Sequence, residues 1–140
     1  MEKLEVKHVS KSFDGKKILD DISIELNQGE LVSLLGVSGG GKTTLFNIIS
    51  GLLRPDSGQI LLDGREITGK PGTISYMLQK DLLLPYRTIL DNAALPLILK
   101  GVSKQQARAE AAALLPQFGL EGTEDKYPSQ LSGGMRQRAA

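Results

Sequence analysis

The first part of the chain alternates between apolar and polar positions with a period of two. The segments LEVKHVSKSF (4–13) and ILDDISIEL (18–26) both show this alternation, and the turn-like DGKK (14–17) joins them. Such alternation is typical of strands with one buried face. We therefore predict an antiparallel pair of strands.

The pattern changes in the next stretch, where short apolar runs lie between turn signals. LVSLLG (31–36) is almost entirely apolar, which predicts a fully buried central strand, and a helix should follow it from Lys42 to about Ser50. GLLRPDSGQILLDG (51–64) predicts a helix end, a turn and a strand, and TISYML predicts a further strand that ends at Gln79. Up to this point the pattern indicates an α/β fold.

The remainder of the chain has helical periodicity. TILDNAALPLILKG (88–101) and SKQQARAEAAALLPQF (103–118) predict two helices, the second opened by a capping box of Ser103 and Gln106. Pro116 should kink or end this helix early. We interpret one apolar face of the second helix as packing surface: Ala107, Ala111, Leu114, Leu115 and Phe118.

Composition narrows the classes of function. The 140 residues include 17 basic and 16 acidic side chains, so nucleic acid is not the default partner. There is no cysteine, which excludes disulfides and thiolate metal sites and mildly favours the cytosol. The start of the chain does not have the pattern of a secretory signal, and the longest apolar stretch, AALPLIL (93–99), is far shorter than the ~20 residues of a membrane-spanning helix. We expect any membrane association to depend on a partner.

The 16 glycines cluster, and one cluster has a specific spacing. GVSGGGKT (36–43) fits the phosphate-loop pattern G-x-x-x-x-G-K-[ST] between a predicted strand and a predicted helix. Glycines allow backbone N–H groups to wrap phosphate oxygens, Lys42 would reach the β- and γ-phosphates, and Thr43 would offer its hydroxyl to Mg²⁺. A glycine-rich turn with an incidental lysine leaves this spacing unexplained. We predict that ATP and Mg²⁺ bind to the loop residues Gly36, Ser38, Gly39, Gly40, Gly41, Lys42, Thr43 and Thr44.

A second glycine pair lies in LSGGM (131–135). Ser132 is a candidate N-cap, and the glycines after it would open the amides at the start of a helix. Taken alone, this segment is better interpreted as an ordinary capped helix. His8, the only histidine, lies outside every motif, and we assign it a structural or surface role.

Together, the phosphate loop, Gln79 after a strand, and LSGGMRQR (131–138) give the chain a family resemblance. In this order they resemble the nucleotide-binding domain of ATP-binding-cassette (ABC) transporters over nearly all 140 residues. The resemblance implies a P-loop NTPase of ABC type, with N-terminal antiparallel strands, a parallel core sheet and a helical subdomain, truncated before the Walker B strand. It divides the chain into the strands and phosphate-loop core (1–79), the Gln79 loop and helical subdomain (80–132), and the start of the signature helix (132–140).

The resemblance also implies roles for individual residues. Lys42 and Gln79 would be catalytic, and Gln79 would join Thr43 in the Mg²⁺ and water shell. Phe13 would stack on adenine, although burial as a core phenylalanine is an alternative. Three signature residues would contact the γ-phosphate of ATP held by the opposite subunit of a head-to-tail dimer: Ser132, Gly133 and Gly134. Met135 departs from the usual glutamine, which should alter packing and leave binding intact.

A longer segment suggests a subfamily and its partners. LQKDLLLPYRTILDNAALPLILKG (78–101) is similar to the ATPases of importers for nitrate, sulfonate and pyrimidine-like solutes. This similarity implies a transmembrane permease subunit, a second cassette, an extracytoplasmic solute-binding protein in the complex, and a peripheral location on the cytoplasmic face of the membrane. A row of side chains would either receive a permease helix or pack against this chain's own helices: Leu82, Leu83, Leu84 and Tyr86.

Two functions remain open from the sequence. The family hydrolyses ATP with an aspartate–glutamate pair after a second apolar strand and a later switch histidine, and none of these follows RQRAA (136–140). Neither Asp20–Asp21 nor Glu124–Asp125 follows an apolar strand in that way. The chain is either part of the ATPase subunit of an ABC importer, hydrolysing little or no ATP alone, or a nucleotide-binding module without turnover. A soluble ABC ATPase of DNA repair is disfavoured by the short spacing between loop and signature, whereas a translation factor, which carries two cassettes per chain, stays open as an alternative.

Overall fold

The computed structural model describes residues 2–37 and 39–140, which form two compact units. The first unit, Met1–Tyr76, holds the strands β1 (Glu2–Phe13), β2 (Lys16–Asn27), β3 (Ser57–Leu62) and β4 (Arg65–Glu66) and the helix α1 (Lys42–Ile49). The second unit, Met77–Ala140, holds the helices α2 (Ile89–Leu99), α3 (Lys104–Leu114) and α4 (Gly133–Ala139). Two short 3₁₀ turns, Leu115–Phe118 and Pro128–Gln130, also belong to the second unit.

The strands of the first unit form one antiparallel sheet in the order β2-β1-β3-β4. The predicted hairpin of β1 and β2 is confirmed, and its two-residue loop places Asp14 and Gly15 at φ 49° and 76°, the positive values that a tight hairpin turn requires. The sheet and α1 enclose a core made by Val6, Val9, Leu19, Leu45, Ile48, Ile60 and Ile67. His8 lies on the exposed face of the hairpin, where its Nδ1 is 2.7 Å from Asp21 Oδ1.

Two predicted strands are not formed in the described part of the chain. Residues 31–37 have no strand pairing, and Leu31 and Leu35 are 93% and 95% exposed. Residues 73–78 are also irregular, although Ile74 packs against the sheet core. All strand pairs described are antiparallel, so these residues form the antiparallel part of the expected fold and no parallel pair is described among them. The physical reason is that an apolar strand becomes buried only when neighbouring strands pair with it on both sides, and no described strand does so here.

The second unit is a helical cluster. The helices α2 and α3 pack together, and Thr88 and Ser103 cap them by accepting from the backbone N–H of Asp91 (3.2 Å) and Gln106 (3.3 Å). Of the expected capping box, only the bond from Gln106 N–H to Ser103 Oγ is observed. The side-chain amide of Gln106 donates to Glu110. The core comprises Ile89, Leu90, Ala94, Ala107, Ala111, Leu115, Leu120 and Leu131.

Pro116 acts as the sequence suggests. Helix α3 ends at Leu114, and the chain continues as a 3₁₀ turn with Pro116 in its first turn. The expected apolar face is correct for Ala107, Ala111 and Leu115 and wrong for Leu114 and Phe118, which are 49% and 52% exposed. The 3₁₀ turn has three residues per turn, so a stripe counted at 3.6 residues does not continue through it to Phe118, whereas Leu114 is the last residue of α3 itself. No helix among the described residues has the length and apolarity needed to cross a membrane.

Candidate functional site

The phosphate-loop residues lead directly into α1, as the motif predicts. Gly41 is the N-cap of α1 in a left-handed conformation, φ 89°, and its carbonyl accepts from Leu45 N–H at 2.9 Å. The first backbone N–H groups of a helix have no acceptor inside the helix, and no side chain caps this one. The amides of residues 42–44 are therefore unpaired within the helix, which is the arrangement that favours an anion at a helix N-terminus.

Gly41 is a position where a side chain would be both strained and crowded. A Cβ atom added there would lie 3.0 Å from Ile18 Cγ2, 3.1 Å from the Ile18 carbonyl oxygen and 3.1 Å from Leu19 Cδ2. The end of the loop is therefore pressed against β2, and α1 begins at a fixed point on the sheet. Gly40 is similarly constrained, since its Cβ would lie 3.0 Å from the Val37 carbonyl oxygen.

The side chain of Lys42 turns back into its own loop. Its ammonium donates to the carbonyl oxygen of Gly36 and, at 3.1 Å, to that of Val37. Gly40 N–H also donates to Val37 O at 3.1 Å, which closes the turn. The loop thus surrounds a positive charge, and the hydroxyl of Thr43 is exposed at the first turn of α1. Ser38, which belongs to the predicted site, lies outside the described residues.

This donor set fits a triphosphate with a divalent cation. Backbone amides, an ammonium and a hydroxyl are the groups that hold phosphate oxygens and the accompanying Mg²⁺ in phosphate-loop proteins. Left-handed backbone at Gly39 (φ 80°) and Gly41 allows amides to point inward where a side chain would add strain. The described residues of the first unit therefore contain the cradle that the sequence motif predicts.

Phe13 lies in the same unit, at the end of β1 beside the hairpin turn. Its ring is 44% exposed, and Lys11 Nζ lies 5.3 Å from the ring centroid. The alternative of a core phenylalanine is therefore wrong, and the ring offers a surface on which a base can stack.

The signature residues lie in the second unit, at the start of α4. Ser132 caps the helix by accepting from Met135 N–H at 3.3 Å, as the sequence predicts, and Gly133 and Gly134 are exposed. Met135 is partly buried and packs against the helical cluster. The signature residues therefore lie at the exposed, serine-capped start of α4.

Gln79 belongs to the second unit as well, and the structure brings it beside α4. Its backbone carbonyl accepts from the side-chain amide of Gln137 at 2.9 Å, while Gln79 itself is exposed. Two residues further on, Asp81 Oδ2 lies 3.6 Å from Arg136 Nε. Sequence reasoning missed Asp81, Arg136 and Gln137, because no local pattern signals contacts between residues 55 and 58 positions apart.

The side chains after Gln79 were expected either to receive a permease helix or to pack against this chain's own helices, and the structure shows both exposed and packed members among them. Leu82 and Tyr86 are each 71% exposed, whereas Leu83 packs against the helical core. Leu82, Leu83 and Leu84 line a largely apolar groove of about 720 Å³ in the second unit. Asn92 holds the backbone of the segment at Leu84. Its side chain accepts from Leu84 N–H at 2.7 Å and donates to Leu84 O at 3.1 Å.

Asp56, which lies outside the phosphate loop, has a lowered pKa. The backbone N–H of Ser12 donates to Asp56 at 2.7 Å and Lys11 Nζ donates at 3.1 Å, and together these hydrogen bonds lower the pKa of Asp56 below its ordinary value of 3.8. Asp56 N–H also donates to Ser10 O at 2.9 Å, so this residue ties the turn before β3 to β1. Its role is structural.

Comparison with known proteins places this site in a family. Residues 19–140 match the model of the ABC transporter family. The taurine import ATP-binding protein TauB of Escherichia coli (strain K12) is 43% identical over 96% of this chain and 53% of its own length. The formylaminopyrimidine import ATP-binding protein ThiZ of Halalkalibacterium halodurans is 46% identical over 88% of this chain and 47% of its own length. The chain thus spans about half the length of these curated relatives.

Solved structures agree with this assignment. The ATP-binding cassette MJ0796, as a post-hydrolysis dimer bound to ADP and Pi, matches with a TM-score of 0.82 and 32% identity over 97% of this chain and 66% of that chain. A nucleotide-free ATP-binding cassette from an ABC transporter matches with a TM-score of 0.82 and 28% identity over 99% of this chain and 64% of that chain. The resemblance to importer-type ABC ATPases is confirmed, and the chain belongs to the ABC transporter family with the fold of its ATP-binding cassettes.

Proposed function

We propose that this chain is the nucleotide-binding part of the ATP-binding subunit of an ABC importer, where binding and hydrolysis of ATP drive solute uptake through a membrane permease. The observation that carries the proposal is the glycine loop that surrounds the Lys42 ammonium at the start of α1. Family membership and the importer ATPases among the relatives support it.

The first unit supplies most of the groups that would hold nucleotide. The loop amides and Lys42 would bind the β- and γ-phosphates, and Thr43 would hold Mg²⁺, which neutralises phosphate charge when bound. Thr44 would add a backbone amide, and Ser38 belongs to the same loop. Phe13 would stack on the adenine ring, since its face is exposed.

The signature residues of the second unit would act on the nucleotide held by another subunit, whereas Gln79 would join Thr43 at the Mg²⁺ ion. Gly133, Gly134 and Ser132 would contact the γ-phosphate across a head-to-tail dimer, and Gln79 would complete the shell of Mg²⁺ and water. Support comes from the exposure of these residues and from the dimeric, ADP-bound and Pi-bound state of the matching cassette MJ0796.

The same unit would also dock on the permease, which places the subunit peripherally on the cytoplasmic face of the membrane. The exposed Leu82 lines the apolar groove, and the exposed Tyr86 follows in the same segment; both would offer the apolar contact that a permease helix needs. An extracytoplasmic solute-binding protein would complete the importer, as the import functions named for the relatives suggest.

A second candidate is a module that binds nucleotide without turnover. In that case neither acidic pair, Asp20–Asp21 or Glu124–Asp125, would supply a catalytic carboxylate. Asp20 pairs with Lys17 at 3.1 Å and Asp21 with His8 at 2.7 Å, both on the exposed hairpin, and Glu124 and Asp125 lie in the second unit. Without a carboxylate to polarise water, hydrolysis should be slower by orders of magnitude while binding persists.

The experiment is a titration of Mg-ATP against the protein and two lysine variants, followed by measurement of phosphate release. Lys42→Ala should weaken binding at least about tenfold, because it removes a phosphate contact of roughly 1.5–3 kcal/mol. Lys70→Ala is the matched control in the same unit, since Lys70 is an exposed lysine whose Nζ lies 3.4 Å from Glu66 O. Equal affinities for the two variants would refute the assignment of the loop.

Phosphate release separates the two candidates. Release that depends on Lys42 supports the transport ATPase, and tight binding with no release supports the binding module. A further variant, Ser132→Ala, should weaken nucleotide-dependent dimerisation and leave the affinity of the monomer unchanged. If Ser132→Ala instead weakened monomer binding as much as Lys42→Ala, the shared site would be wrong.

A further inference from the structure

The end of β1 brings a lysine and a phenylalanine together within the first unit. Lys11 and Phe13 are two residues apart in the strand, and Lys11 Nζ lies 5.3 Å from the centroid of the Phe13 ring. This distance is within the ~6 Å over which the face of an aromatic ring attracts an ammonium. Lys11 therefore covers one face of the ring, and a base could stack only on the opposite face.

The lysine is held in this position from the neighbouring strand connection. Its side chain is only 16% exposed, although it carries a charge. Asp56, in the turn before β3, accepts from Lys11 Nζ at 3.1 Å and from the backbone N–H of Ser12 at 2.7 Å. A charge that is largely removed from water needs such a partner. Asp56 thus anchors both the ammonium and the backbone that joins Lys11 to Phe13.

A ring that is held in advance binds a base at a lower cost. A ligand loses free energy for each side chain that it must immobilise, and this loss is avoided when the side chain is already fixed. Phe13 is 44% exposed, so the ring itself has little packing to fix it, and the Lys11 ammonium is the contact that limits its rotation. Lys11 belongs neither to the phosphate loop nor to the signature segment.

We propose that Lys11 is a positioning residue for the nucleotide base: anchored by Asp56, its ammonium holds the Phe13 ring with one face open, so that the base of a nucleoside triphosphate binds to a preorganised surface. This inference rests on the proposed function, because it assumes that Phe13 meets the base. It assigns to Lys11 an effect on the base and none on the phosphates, which distinguishes it from Lys42.

The experiment compares Mg-ATP with Mg-tripolyphosphate, which offers phosphates without a base. Calorimetric titration of the full chain gives both affinities, and their ratio measures what the nucleoside part contributes. Phe13→Ala should lower this ratio by about fivefold or more, the lower end of the range for a base stacked on an aromatic ring. Lys11→Met, which keeps the stem and removes the charge, should weaken Mg-ATP binding by about two- to tenfold, the cost of immobilising one side chain, and leave tripolyphosphate binding unchanged.

Two further lysine variants serve as controls. Lys11→Arg keeps the positive charge, and its guanidinium can lie on an aromatic face, so it should retain the ratio of the unmodified protein. Lys17→Met removes an exposed lysine of the same hairpin, whose Nζ lies 3.1 Å from Asp20 Oδ1, and should change neither affinity. When Phe13 is already alanine, adding Lys11→Met should lower the ratio no further, because the two residues act as one unit.

An unchanged ratio in Lys11→Met would overturn the inference. An equal loss of both affinities would do the same, because Lys11 would then act on the phosphates or on the whole fold. So would a loss in Lys11→Arg or Lys17→Met as large as that in Lys11→Met, or a further loss in the absence of the Phe13 ring. If the unmodified protein binds neither ligand, or if Phe13→Ala leaves the ratio unchanged, the proposed function fails at the loop or at the base, and the inference fails with it. A selective loss of Mg-ATP affinity in Lys11→Met supports the positioning role.

Discussion

Replacing Gly41 with alanine tests how the phosphate loop is fixed to the sheet. An alanine at φ 89° incurs a left-handed backbone cost of about 1–2 kcal/mol, offset by about 0.4–1 kcal/mol because the substitution restricts the unfolded chain. The new methyl group would also lie 3.0–3.1 Å from Ile18 Cγ2, the Ile18 carbonyl oxygen and Leu19 Cδ2. A backbone oxygen cannot rotate away, so an overpacking cost of about 1–3 kcal/mol is added.

The expected loss is therefore about 2–4 kcal/mol for Gly41→Ala. Gly15 gives the matched control, because it has a similar φ of 76° and nothing lies within 4 Å of its added Cβ. Gly15→Ala should cost only the backbone part, about 1 kcal/mol or less. The difference between the two variants isolates the contact between the loop and β2.

Urea unfolding without nucleotide, followed by circular dichroism, measures both variants. The midpoint should fall further for Gly41→Ala than for Gly15→Ala, with an unchanged slope if only stability differs. Losses that agree within about 0.5 kcal/mol would show that the Ile18 and Leu19 contacts do not constrain the loop, and the argument for a fixed start of α1 would fail.

Two further predictions concern polar contacts away from the loop. Asn92→Ala should destabilise the second unit by about 1–3 kcal/mol, because it leaves Leu84 N–H unpaired, while Leu84 O still accepts from Arg87 N–H; faster amide exchange at 84–88 would show it, and unchanged exchange would contradict it. Asp56→Asn should destabilise the protein at about pH 7. The pKa of Asp56 is lowered in the folded state, so its stabilisation is complete above the ordinary value of 3.8 and is lost as pH falls through the folded value. Unfolding midpoints of the two proteins should converge as pH falls below the lowered pKa of Asp56, and a gap that persists there would refute the role of the charge.

The parts of the fold that depend on local signals could be predicted from sequence. The hairpin follows from alternation and Asp14–Gly15, α1 from the motif that precedes it, and α3 from its serine cap and the proline after it. The two apolar segments 31–36 and 73–78 were assigned as strands and are not strands here. An apolar segment tends to be buried, but it forms a strand only when strands from distant parts of the chain pair with it.

Some residues of the candidate site could likewise be located from sequence, and others could not. The phosphate loop could be located because its spacing is itself the functional requirement, and Ser132 because an N-cap is a local feature. The exposure of Phe13 and the contact of Gln137 with Gln79 depend on how distant segments pack, so they emerge only from the structure. The left-handed Gly41 lies between these cases: glycine signals conformational freedom, while its close approach to Ile18 is visible only in three dimensions.

The folded-back Lys42 has a thermodynamic consequence. Its ammonium is already bonded to the Gly36 and Val37 carbonyl oxygens, so the freedom of this long side chain is lost when the protein folds and not when a ligand arrives. An incoming phosphate must then offer the ammonium better oxygen acceptors than those carbonyls. The free energy gained is the difference between the two sets of bonds and not the full attraction between opposite charges. The loop closes around the ammonium of its own lysine. Its affinity for phosphate would therefore be set by the exchange of two carbonyl oxygens for phosphate oxygens around that ammonium.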